Sequence, residues 1–85
     1  MPLPSVILDA AAASEHIEEL IEQALSALDS ATSLRVLNGF GIFKDQLGLE
    51  RDLTEARAAL DKAITAMAET AWPIHADYAA AGGPA

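Results

Sequence analysis

Leu49, Leu53, Ala56, Leu60, Ala63, Met67 and Thr70 recur at alternating intervals of four and three residues, and Ile74 continues the series. On a helix of about 3.6 residues per turn, that spacing draws one continuous stripe. It is the a/d register by which helices pair side by side. A segment built this way has to lie against another helix. Ile64 and Ala71 widen the stripe. Asp52, with Glu55 three residues on, has the form of a capping box and places the helix start near residue 52. Arg51–Glu55 and Arg57–Asp61 are four apart and are expected to pair on the solvent side, each contributing roughly 0.3 kcal/mol. Pro73 disfavours helix at Trp72, so the helix is expected to stop or kink there, near residue 72. Pro73 can then open a short helix over about residues 73–81, ended by Gly82-Gly83, with residues 82–85 frayed.

The first third of the chain offers a partner. At about 100° per residue, Ala13, Ile17, Leu20, Ile21, Ala24, Leu25, Leu28 and Ala31 share one face, and Val6 and Ala10 are in phase with them. Glu15, Glu18, Glu19, Glu22, Ser26 and Asp29 share the opposite face. The spacing predicts a helix over about residues 5–32, with Asp9 and Ser14 competing as N-caps. Arg35 would fall on the apolar face, so the helix ends before it.

Residues 34–47 can be read in more than one way. As a short, imperfect helix they gather Val36, Leu37, Phe40, Phe43 and Leu47 on one side, at a cost of about 1 kcal/mol for each of Gly39 and Gly41. As a β-hairpin turning at Asn38-Gly39 they would set Arg35 opposite Ile42, on the same face as Leu37 and Phe40. A packed loop is the third reading. The helical stripe is cleaner, so the short helix is preferred. Both phenylalanines fall here, which marks the segment as one that packs on something. The fold class expected is therefore all-α, a helical hairpin with short intervening and C-terminal helices. The alternative is two long helices plus an Asn38-Gly39 β-hairpin.

The supply of side chains limits what such a hairpin can enclose. Of 85 residues 52% are apolar, but 19 of those are alanine, leaving 25 larger apolar side chains. That supports a single small domain with a thin core. Each long stripe is wider than one facing helix can cover. Pairing two hairpins into a four-helix bundle would cover the remainder. A symmetric homodimer is expected, with Leu53, Ala56, Leu60, Ala63, Ile64 and Met67 as its self-association surface.

Charge and motif content narrow the function. Five Lys plus Arg against thirteen Asp plus Glu give a net charge of −8, which opposes direct nucleic-acid binding. Residues 1–34 hold six acids and no Lys or Arg. The absence of cysteine removes disulfides, thiolate metal sites and cysteine nucleophiles. No basic, apolar leader and no apolar run of about 18 residues is present, so a soluble, cytoplasmic protein without membrane contact is expected. No internal repeat is found.

The residues that could carry chemistry read more simply as structure. His16 stands among Glu15, Glu18 and Glu19, but a helix-bundle metal site needs further inward carboxylates, and a solvated acidic face accounts for them. His75, in Trp72-Pro73-Ile74-His75-Ala76-Asp77-Tyr78, could mark a small ligand site or a minor catalytic one. In the simpler account Trp72 and Tyr78 cover the end of the core. Gly39, Gly41 and Gly48 match neither the dinucleotide nor the phosphate-loop pattern and serve a turn or close packing. No catalytic residue, cofactor or metal is expected. The preferred reading is a non-enzymatic interaction module that self-associates through its amphipathic helices. The alternative is an acidic inhibitor or nucleic-acid mimic, docking on a basic protein through Glu15, Glu18, Glu19 and Glu22.

Overall fold

The computed structural model describes residues 3–82 of the chain. Among them are three helices, α1 (Ser5–Ser33), α2 (Gln46–Glu69) and α3 (His75–Ala80), and no named strand. The chain is all-α, as its periodicity requires. The expected fraying of residues 82–85 lies mostly outside the described residues. The two long helices run antiparallel over most of their length, and α3 folds back onto α1. The molecule is a rod of 64 × 22 × 17 Å with a radius of gyration of 19.3 Å; a compact chain of this length would have about 12 Å. A rod of two helices has a seam but no enclosed interior.

That seam is built mainly of alanine. On α1 the inward positions are Ala10, Ala13, Ile17, Leu20, Ala24, Ala27 and Ala31, all buried except half-buried Ala13. On α2 they are Asp52, Ala56, Ala59 and Ala63, buried, followed by half-buried Ala66 and Thr70. Both series keep the alternating three-four spacing of a paired helix. Ile17 and Leu20 are the large residues of the core cluster, and they meet the small side chains of Ala63 and Ala66. The other buried seam positions are alanine apart from Asp52, and side chains that small let two helix backbones approach closely.

The α2 seam is therefore turned from the series expected. Ala56, Ala63 and Thr70 belong to it, but the other inward positions are Asp52, Ala59 and Ala66, not Leu53, Leu60 and Met67. On α1, Ile21, Leu25 and Leu28 lie beside the seam and not in it. The physical reason is size matching. Two long helices with seven-residue alanine spacing can interlock along that line at short range, which the leucine line would prevent.

The element boundaries follow from local caps. The α1 N-terminus sits at Pro4, with no side-chain cap. Neither Asp9 nor Ser14 caps it, and the Ser14 hydroxyl donates back to the Ala10 carbonyl at 2.7 Å. α2 begins six residues before the expected start, because Asp45 is its N-cap and its carboxylate accepts from the Gly48 backbone N–H at 2.9 Å. Asp52 is thus an internal, buried residue and not a cap. A Cβ at Gly48 would collide with the Asp45 carboxylate, so glycine there keeps the cap in place. α2 ends at Glu69, ahead of the expected boundary; the backbone is extended at Thr70 and again at Ile74, and residues 70–74, with Pro73 among them, are not helical. α3 starts at His75, with the Asp77 carboxylate accepting from Ile74 N–H at 2.8 Å. It closes at Gly82, whose φ of +74° suits glycine.

Residues 34–45 contain no helix, which corrects the preferred reading. They form a tight reversal with one antiparallel bridge, Leu37 to Phe43. Asn38 N–H donates to Ile42 C=O and Lys44 N–H to Val36 C=O, both at 2.8 Å. The register also differs from the two-residue Asn38-Gly39 turn. The loop is three residues long, with Gly41 N–H donating to Asn38 C=O at 3.1 Å and Gly41 at φ +78°. That is the pattern of a type I turn followed by a left-handed glycine. The Asn38 side chain fixes it by accepting from Phe40 N–H and Ile42 N–H at 2.8 and 3.1 Å. Two glycines and an asparagine that can satisfy the turn internally outweigh a helical stripe with nothing to pack against.

Candidate functional site

The flanks of the seam differ sharply. Residues two apart on a helix point to nearly opposite sides, so stepping from Leu53 to Glu55 crosses the hairpin. One face carries Ile21, Leu25 and Leu28 from α1 and Leu53, Leu60, Ile64 and Met67 from α2; these are between 40% and 66% exposed. At the loop end it continues into a hollow lined by Leu28, Phe43, Leu49 and Leu53. Phe40 stands at the loop tip, 90% exposed. Phe43 lines that hollow against both helices, whereas Phe40 does not. Seven aliphatic side chains on one face exceed the scattered exposure normal for a soluble surface.

The surface expected for self-association is divided by the fold. Leu53, Leu60, Ile64 and Met67 lie on the open apolar face, whereas Ala56 and Ala63 are buried against α1 of the same chain. Sequence reasoning placed the six together because a wide stripe does not say which of its edges turns inward. It also missed Ile21, Leu25 and Leu28 as members of the open face, having placed them within the stripe that packs inward. The signal was present in the alanine series itself, at residues 24, 27 and 31 on α1 and at 56, 59 and 63 on α2.

The opposite face is polar. Gln23, Ser26, Ala27 and Ser30 from α1 and Asp52, Glu55, Ala58, Ala59 and Lys62 from α2 line an open groove of about 440 Å³. Asp52 is 3% exposed, and its Oδ2 has no hydrogen-bond partner. Its Oδ1 lies 3.6 Å from Nε of Arg51, a side chain that is itself mostly in solvent. The expected Arg51–Glu55 pair is replaced by this contact, while Arg57 and Asp61 do pair, at 3.8 Å.

The remaining candidates are dispersed. Glu15, Glu18, Glu19 and Glu22 are all exposed on α1. His16 borders a shallow cleft with Asp61, Lys62, Thr65, Ala66 and Glu69. No group of three or more His, Asp or Glu side chains suited to a metal occurs among the described residues. His75 is exposed. The small cavity beside it, about 180 Å³, is lined by Ile7, Ala10, Ala11, Ser14, Trp72, Pro73 and Tyr78 and not by His75. Trp72 and Tyr78 thus meet the N-terminal turns of α1, and Trp72 Nε1 donates to the Met67 carbonyl at 3.0 Å, satisfying a backbone acceptor near the end of α2. No described helix is long and apolar enough to cross a membrane. Comparison with protein-family models, with curated proteins and with solved structures yields no match.

Proposed function

We propose that this protein is a non-enzymatic interaction module whose first partner is a second copy of itself. The observation that carries this is the open face formed by Ile21, Leu25, Leu28, Leu53, Leu60, Ile64 and Met67. In the paired form two such faces stack about a two-fold axis and give a four-helix bundle. The magnitudes favour pairing. Covering the exposed half of one such side chain yields roughly 1 kcal/mol. Over both copies that is roughly 10–20 kcal/mol, against an association cost of roughly 4–15 kcal/mol. The leucine series that the alanine seam leaves outside then fills the bundle centre.

A double substitution tests the reading. Leu60→Glu with Ile64→Glu places four buried carboxylates in the paired face, two per copy, at positions already open to water in one copy. The hairpin keeps its alanine seam, so far-ultraviolet circular dichroism should retain its helical signal while the mass by light scattering halves. An unchanged mass for the variant would defeat the assignment of this face.

A further inference from the structure

We propose that the polar groove, at the end marked by Asp52, is a binding site for a guanidinium group. Asp52 occupies a seam position where every other buried residue of α2 beyond Gly48 is alanine. Its carboxylate is withdrawn from water, and Oδ2 has no partner. A carboxylate in that state is costly unless a cation or donor completes it. Arg51 does not complete it, since its side chain is 73% exposed and reaches only the other oxygen, at 3.6 Å.

The rest of the groove supplies what a guanidinium needs. Glu55 provides a second carboxylate, and Gln23, Ser26 and Ser30 provide neutral oxygens. A guanidinium has five N–H donors in a rigid plane, fits a carboxylate through two parallel bonds, and is weakly hydrated for a cation. An ammonium is a compact, strongly hydrated charge and loses more on entering a cleft. The short side chains of Ala27, Ala58 and Ala59 leave room for an aliphatic stem. Lys62, about seven residues beyond Glu55 along α2, leaves the Asp52 end as the acidic end of the groove. The groove lies across the hairpin from the apolar face, so it is open in one copy and in two, and the inference stands apart from self-association.

Nuclear magnetic resonance on the whole chain tests it, with methylguanidinium as the probe and potassium chloride at equal ionic strength as the control. Saturable shifts are expected at the Asp52 carboxyl carbon and at the Ser26 and Ser30 amides, and Asp52→Asn should weaken the midpoint about tenfold, the loss of one charge-assisted pair. Glu55→Gln should weaken it less. The Leu60→Glu, Ile64→Glu variant should respond as the parent chain does. A short neutral peptide bearing one arginine separates the sources. Tighter binding than methylguanidinium points to an arginine side chain of a protein, and equal or weaker binding points to a free guanidinium compound. Shifts that potassium chloride reproduces, a response unchanged in Asp52→Asn, or no response at Asp52 would each overturn the proposal.

Discussion

Two aspartates show how one residue type serves opposite ends at neighbouring positions. Asp45 is an N-cap, and its carboxylate takes one of the backbone donors that the first turn of α2 leaves without a partner. Asp45→Ala should therefore cost about 1 kcal/mol, read as a lower denaturant midpoint with an unchanged slope. Asp52 has the reverse effect on stability. It holds a buried acceptor with no partner in a line of alanines, so Asp52→Ala should stabilise the chain by about 1–3 kcal/mol. A lower midpoint for that variant would mean that the carboxylate is satisfied within the chain. Asp52 was legible as acidic and near a helix start, and the capping reading followed from Glu55 alone. What was not legible is that Asp45, with glycine three residues later, makes the better cap and moves Asp52 inside.

At the scale of the element, the two long helices were legible because their periodicity runs for many turns; the end of α3 was legible from Gly82, but Pro73 does not open that helix, which starts at His75 after Ile74 as N-cap. Which edge of each stripe turns inward was not legible, because an apolar series of large residues and one of alanines ran side by side on α2. Close packing chose the alanines. Ala59→Leu should consequently force the helices apart and cost about 1–3 kcal/mol, whereas the same change at exposed Ala68 should stay within about 0.5 kcal/mol. Thermal unfolding of the two variants checks this, and equal effects would deny the alanine seam. The intervening segment was misread for a related reason. Its apolar spacing suits a helix, but Asn38 and Gly41 satisfy a three-residue turn from within, and local hydrogen bonds prevailed over a stripe without a partner surface.

At the scale of the whole molecule, the shortage of large apolar side chains and the length of the two helices lead to the same outcome. A hairpin whose seam is alanine spends few of its leucines and isoleucines on itself, and the rest remain on one face. The acidic side of α1 and the Asp52 groove point elsewhere and stay open whether or not that face is covered. The division into one apolar and one polar face was foreshadowed by the wide stripes, although the membership of each face needed the three-dimensional arrangement. The most direct measurement is the mass of the chain in solution by light scattering coupled to size exclusion, at tens of micromolar, since scattering gives mass independently of the elongated shape. The account predicts twice the 8.9 kDa of one chain. A uniform species at the mass of a single chain would contradict it.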